Sequence, residues 1–287
     1  MSMTIEPTSA TLGATVRGVD LTALNEASWA AILQAFHDHA LLIFPAQHLS
    51  ATAQADFGRR FGAIEVLVQN LDTIPISNRG GLDGAPLADD SFHMQLLRGN
   101  EGWHTDSSYM PLAAKASVLS AQVVPSAGGE TEWADMRAAY DALDDQRREF
   151  VDAHRAYHNY FYSQARIGHT VQAGQAYGFH EGEPPLRELV KIHPVTGRRA
   201  LFIGRHACDI VGLERAESER FLDALTAFAC QPPRTWTHRW QPGDVVVWDN
   251  RCLLHRARPY DHREPRTMLH TRIQGDPASE SALNAAA

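Results

Sequence analysis

Trp29, Ile32, Leu33, Phe36 and Ala40 recur at helical spacing, as the single buried face of an amphipathic helix requires. The period then changes. Leu41-Leu42-Ile43-Phe44 is a continuous apolar run stopped by Pro45, the mark of a short buried strand. Ser50 stands as an N-cap before a second helix that carries Phe57 and Phe61 and is closed by Gly62. Strand-like runs follow at 73–78, 117–124, 187–192, 200–204, 235–240, 244–248 and 267–273, with one well-delimited helix at 214–229. Many short strands with a few helices predict a mainly β protein with flanking helices on a double-stranded β-helix (jelly-roll) core.

No internal repeat or low-complexity segment interrupts this pattern, so a single domain is expected over 1–275, with 276–287 as a flexible C-terminal tail. Residues 79–100 are rich in Gly, Asp and Ala and show no clear periodicity. A segment of that kind directly upstream of candidate chemistry reads as an active-site lid rather than a disordered insertion.

Composition narrows the function. A hydrophobic content of 44% over 287 residues supports a sizeable core, and no apolar run approaches the roughly 20 residues that span a bilayer. The first residues, MSMTIEPTSATLGATV, lack the basic and apolar regions of an export signal, so a cytoplasmic location is expected. Cys208, Cys230 and Cys252 are odd in number and far apart, which suits reduced, structural thiols. A net charge of −8 argues against nucleic-acid and membrane partners. Against that background, residues 251–272 carry Arg251, Arg256, Arg258, Arg263, Arg266 and Arg272 with only Asp261 and Glu264. A local basic cluster in an acidic chain points to small anionic substrates.

The candidate chemistry lies beside that cluster. In extended chain, residues i and i+2 project from one face, so His104 and Asp106 can clasp a metal from one side, and His255 is the candidate third ligand. Two imidazoles and one carboxylate on one face of an octahedron leave the other face open, the arrangement of non-haem iron(II) oxygenases. Thr131 follows Asp106 with twenty-four residues between, and Arg266 follows His255 with ten between.

His-x-Asp, Thr, His and Arg in this order resemble the taurine dioxygenase / phenoxyacetate dioxygenase family. The likeness runs from Gly13-Ala14-Thr15-Val16-Arg17-Gly18 through Gly128-Gly129-Glu130-Thr131 and Trp248-Asp249-Asn250-Arg251 to Gly275-Asp276. It implies iron(II) held by His104, Asp106 and His255, and 2-oxoglutarate held by Thr131 and Arg266, with O2 as second co-substrate and succinate and CO2 as products. An arginine fork matches the distal carboxylate of 2-oxoglutarate. The retained Asp106 implies hydroxylation, because the family's halogenating relatives lack that carboxylate. Relatives often associate, so a homo-oligomer is expected.

The family's taurine-hydroxylating members carry a second arginine four positions after the first; here that position is His270. Arg266, Met268, His270 and Arg272 alternate along a predicted strand, so all four are candidates to face the pocket. A closer resemblance is to the (S)-selective aryloxyalkanoate branch, through Ala40-Leu41-Leu42-Ile43-Phe44-Pro45, Ala134-Asp135-Met136-Arg137, Gly204-Arg205-His206-Ala207 and Leu269-His270-Thr271-Arg272. It implies cleavage of an aryloxyalkanoate to a phenol and a 2-oxo acid. Asn100, His270, Arg272, Ser77 and Asn78 are candidate substrate contacts, while Trp103 and Trp248 are expected to wall the site. An alkylsulfonate or other small organic acid is the alternative substrate, and a non-catalytic anion-binding jelly roll is the remote alternative.

Overall fold

Every residue of Leu41–Phe44 and of Val245–Asp249 is buried, because these strands sit at the centre of a sheet covered on both faces. Leu41, Ile43, Val246 and Trp248 point into one apolar cluster, and Leu42, Phe44, Val245 and Val247 into another. This computed structural model describes residues 2–80 and 84–285.

The strands, in chain order, are β1 (Thr4–Pro7), β2 (Ala14–Arg17), β3 (Leu41–Phe44), β4 (Ile74–Ser77), β5 (Ala114–Val123), β6 (Thr131–Asp135), β7 (Arg155–His158), β8 (Leu186–Glu188), β9 (Val190–Ile192), β10 (Arg199–Leu201), β11 (Ala207–Ile210), β12 (Thr235–His238), β13 (Val245–Asp249), β14 (Leu253–Ala257) and β15 (Thr267–Gln274). The main sheet runs β1-β2-β3-β13-β5-β15-β4, and a smaller sheet runs β12-β6-β14. Trp133 of β6 and Leu254 of β14 share a cluster with Leu119, Val246, Trp248 and Met268 of the main sheet, so the two sheets pack face to face as a jelly-roll core.

Helices α1 (Glu26–His39) and α2 (Ala51–Arg59) cover the outer face of the main sheet, through Ile32, Phe36 and Phe57, with Phe61 just beyond α2, against Val118, Val245, Val247 and Ile273. Asn25 and Ser50 cap them, each accepting a backbone N–H at the third position on. Fully buried Gln54 of α2 donates to Leu269 O at 2.9 Å, to Val118 O and to Thr271 Oγ1, which ties this helix to the strand carrying the C-terminal site residues.

The predicted runs correspond to β3, β4, β5, β10, β12, β13 and β15, and 187–192 divides into β8 and β9. The predicted 214–229 helix is Arg215–Ala229. Three differences bear on the site. β6 and β14 escaped notice because each mixes charge into five residues (Thr-Glu-Trp-Ala-Asp and Leu-Leu-His-Arg-Ala). The 79–100 segment contains α3 (Phe92–Gly99), N-capped by Ser91; residues 81–83 of that segment lie outside the described residues.

Residues 276–285 of the expected tail make packing contacts with the rest of the chain. Asp276 caps a helical turn, Pro277–Glu280, and Lys191 meets the buried Glu280 carboxylate at 3.2 Å. Arg187 donates to Glu280 O, and Ala282 N to Pro111 O. Residues 286–287 lie outside the described residues. No described helix is long and apolar enough to cross a membrane.

Candidate metal and co-substrate site

The two ligand segments are joined by main chain. His104 N donates to His255 O at 3.0 Å and His255 N to His104 O at 2.7 Å, an isolated antiparallel bridge that brings the rings to 4.1 Å between centroids. Asp106 lies in the turn after this bridge and not in a regular strand. Even so, ligand atoms of His104, Asp106 and His255 all stand within 4.8 Å of one another.

Protonation suits a metal. His104 donates Nδ1–H to Gly102 O at 2.8 Å, leaving Nε2 as the lone-pair donor. Burial, opposed by Asp106, lowers the His104 imidazole to about 4. His255 is pushed well below its ordinary value by burial and by His104. Burial alone would raise Asp106, but Arg272, then His255 and His270, outweigh it and hold this carboxyl well below the usual range. Two neutral imidazoles and one carboxylate are the protonation states that ligation requires. His255 Nε2 faces Asp106 Oδ2 at 3.9 Å, an arrangement a shared cation completes. The donor set therefore fits iron(II).

These groups line a cavity of about 590 Å³. Leu67, Val68, Leu71, Ile74, Ile76 and Leu97 form much of its apolar wall. Thr131, Arg266, His270, Arg272 and Asn100 also line it, while Met268, between the cationic positions of its strand, is buried in the core. Thr131 pairs with Ala257, two residues beyond His255 on β14, and its Oγ1 accepts Trp240 Nε1–H at 3.0 Å. Arg266 is buried, donates Nε–H to Gly129 O at 3.2 Å, and has no ion-pair partner among the described residues. Gly129, at φ +69°, leaves room for it: a Cβ there would stand 3.1 Å from Arg266 Nε.

The arginine cluster thus sorts itself. Arg251 pairs with Asp249, Arg256 and Arg258 with Glu132, Arg263 with Asp261, and Arg272 with Asp106. Among these six, Arg266 alone lacks a carboxylate among the described residues.

The other candidates divide between the cavity wall and the surrounding structure. Ser77 Oγ meets Thr267 Oγ1 at 2.9 Å and neither lines the main cavity. Asn78 donates to His262 O and Glu264 O and accepts Arg266 N–H at 2.9 Å, clamping the loop that delivers Arg266. Asn100 ends α3, its carbonyl accepting Ala257 N–H at 2.8 Å. His270 Nε2 stands 3.7 Å from Asp106 Oδ2. Trp248 walls the cavity, whereas Trp103 does not line it and lies under the Arg256 guanidinium, 4.6 Å from ring to cation. Asp249 shapes its turn by accepting Arg251 N–H at 2.9 Å. His193 and Cys252 gather around Asp249 as well, but its oxygens are already taken by Arg251 and by His193 Nε2–H.

Sequence reasoning missed Tyr109, Tyr160, Tyr177, Arg205 and His206 on the cavity wall. Arg205 is the informative one. Its guanidinium donates only to carbonyls, of Gly99 and of Ser163, and no carboxylate pairs with it among the described residues. Glycines at 99 and 102 make space for it; a Cβ at 99 would stand 2.7 Å from Arg205 Nη1.

Residues 4–272 match the family described as Taurine catabolism dioxygenase TauD, TfdA family. The chain belongs to this family. It is 51% identical to an (S)-phenoxypropionate/alpha-ketoglutarate-dioxygenase of Sphingobium herbicidovorans, covering 97% of each chain. It is 52% identical to the Delftia acidovorans protein of the same name, covering 98% of each. Among solved structures it resembles AAD-2 in complex with Mn(II) and N-oxalylglycine, with a TM-score of 0.90, 35% identity, and coverage of 99% of this chain and 100% of that one. As a member of the family, it is an iron(II)- and 2-oxoglutarate-dependent dioxygenase.

Proposed function

We propose that the protein cleaves (S)-2-aryloxypropionates, and related aryloxyalkanoates, to a phenol and a 2-oxo acid. One observation carries the reading: a largely apolar cavity holds two guanidinium groups, Arg266 and Arg205, that lack carboxylate partners among the described residues. Buried or half-buried cations without counter-ions await anions. One suits the distal carboxylate of 2-oxoglutarate, the other the carboxylate of the organic substrate. The names of the relatives in Sphingobium and Delftia support the choice of substrate and hand.

Bound by His104, Asp106 and His255, iron(II) supplies the redox chemistry that couples decarboxylation of 2-oxoglutarate by O2 to oxygen insertion into a substrate C–H bond. The chain supplies geometry and dryness. Arg266, with the Thr131 hydroxyl lining the same cavity, receives the distal carboxylate and so aims the 2-oxo acid end at the ligand triad. Trp248 and Leu119 line the cavity and help exclude water. Arg205 anchors the substrate carboxylate, while Leu67, Val68, Leu71, Ile74 and Leu97 hold its aromatic ring. Anchored at both ends, the carbon bearing the ether oxygen is the one presented to the ligand triad. Hydroxylation there yields a hemiketal that breaks spontaneously to the phenol and pyruvate.

An alkylsulfonate is the weaker candidate, since the position that carries an arginine in the family's taurine-hydroxylating members is His270 here, and an imidazole lacks the fork with which a guanidinium grips an oxyanion. The test is oxygen uptake with iron(II) and 2-oxoglutarate across (S)- and (R)-2-phenoxypropionate, phenoxyacetate and taurine. Phenol, pyruvate and succinate in equal amounts from the (S) acid are expected. Sulfite from taurine without phenol from any ether would overturn the proposal.

A further inference from the structure

Arg272 lines the cavity but is not free to meet a substrate. Its Nη2 donates to Asp106 Oδ1 at 2.9 Å and its Nη1 to Ser107 Oγ at 2.9 Å. Ser107 Oγ in turn donates to Glu65 Oε1 at 2.7 Å, and the Tyr177 hydroxyl donates to the same oxygen. Glu65 Oε2 stands 4.0 Å from Arg272 Nε. The guanidinium is thus hydrogen-bonded by two adjacent residues of one turn, Asp106 and Ser107, and two carboxylates, Asp106 and the half-buried Glu65 of a second segment, share its charge.

The two oxygens of Asp106 are consequently unequal. Oδ1 is claimed by the Arg272 fork. Oδ2 receives one hydrogen bond, from Ser117 Oγ at 2.6 Å, and is the oxygen that faces His255 Nε2. Ser117 is set by Asn250 Nδ2 at 2.9 Å, so the orientation of the carboxylate is over-determined.

We propose that Arg272, backed by Glu65 and Ser107, is a positioning residue that restricts Asp106 to one-oxygen coordination of the metal. The inference rests on the metal site of the functional reading. A carboxylate can bind a metal through one oxygen or two. Two imidazoles and one carboxylate oxygen leave three positions of an octahedron open: two for the chelating 2-oxo acid and one for O2. A second Asp106 oxygen on the metal would remove one of them. A planar fork can hold Asp106 and Ser107 together, which a lysine point charge cannot.

The test is anaerobic titration calorimetry of the full-length protein, first with Mn(II), then with 2-oxoglutarate on the Mn(II)-loaded form, for wild type, Arg272→Gln, Arg272→Lys and Glu65→Gln. Visible absorbance of the iron(II)-loaded form with 2-oxoglutarate is read in parallel. For Arg272→Gln, Mn(II) affinity is expected to hold or rise, while 2-oxoglutarate affinity falls by about tenfold or more and the visible band weakens. Arg272→Lys is expected to fail to rescue. Glu65→Gln keeps the Asp106 bond but loosens its backing, so it is expected to move the same split in the same direction by a smaller factor; it decides the matter if Arg272→Gln does not fold. Parallel losses of metal and 2-oxoglutarate binding, or no change in either, would overturn the proposal. Wild type that binds no Mn(II) would sink the functional reading itself.

Discussion

Replacing Arg266 by methionine separates two quantities that usually fall together. The stem is retained and the guanidinium is lost. With 2-oxoglutarate bound, the fork would make two charge-assisted hydrogen bonds to its distal carboxylate, and hydrogen bonds to charged groups contribute about 1.5–3 kcal/mol each. Losing both, with partial compensation by water, amounts to about 3 kcal/mol, or more than a hundredfold in dissociation constant at about 1.4 kcal/mol per decade.

The free protein should respond differently. Burial depresses the Arg266 pKa, so its charged form is held in the fold at a cost that the variant no longer bears. The lost bond from Nε to Gly129 O offsets that gain by about 1 kcal/mol. Anaerobic binding of 2-oxoglutarate to the Mn(II)-loaded protein and thermal melting of the apoprotein read the two effects separately. Affinity is expected to collapse while the melting temperature stays within about 3 °C of wild type. A change in 2-oxoglutarate affinity under about fivefold, or a melting temperature that drops in step with it, would refute the assignment of an uncompensated cation waiting for this anion.

In Asn78→Ala, three hydrogen bonds around the loop before Arg266 are lost. Urea unfolding should show about 2–3 kcal/mol less stability, and KM should rise for 2-oxoglutarate and not for the organic acid. The acid limb of stability should carry the signature of Asp249. Burial would raise this carboxyl, but Arg251, followed by His193, holds it far below its ordinary value. A depressed folded-state pKa contributes stability that is fully present above the unfolded value of about 3.9 and is lost as pH falls below it. Unfolding free energy measured from pH 6 downward should therefore fall less steeply below about pH 4 in Asp249→Asn than in wild type.

The site residues divide by how their positions are encoded. His104, Asp106 and His255 stand out in the sequence because few residue types ligate iron(II), and the fold gathers them; Thr131 and Arg266 stand out because their spacing matches a known family, and both line the same cavity. The role of Arg272 was not legible. Its alternation with Arg266 and His270 correctly placed all three toward the cavity, but a period of two says nothing about which carboxylate lies opposite, and that carboxylate proved to be Asp106. Arg205 stands in the sequence only as part of the Gly204-Arg205-His206-Ala207 motif. Its importance depends on the approach of α3 and the 160–165 helix, whose carbonyls hold it, and a helix of eight residues such as Phe92–Gly99 completes only about two turns, too few for a sustained period. Trp103 was misjudged for the opposite reason: a neighbour of a ligand in sequence turned its ring to the other side, under Arg256.

The pair of reciprocal main-chain hydrogen bonds between His104 and His255 has an evolutionary corollary. Backbone amides and carbonyls do not depend on side-chain identity, so the spacing of the two imidazoles is insulated from drift in the residues around them. The apolar wall, drawn from the 64–72 loop and α3, carries no such constraint. Substrate range can therefore be rewritten by mutation at Leu67, Val68, Leu71 or Leu97 while the metal centre is inherited unchanged, which makes this scaffold a suitable starting point for selecting enzymes against new aryl ethers.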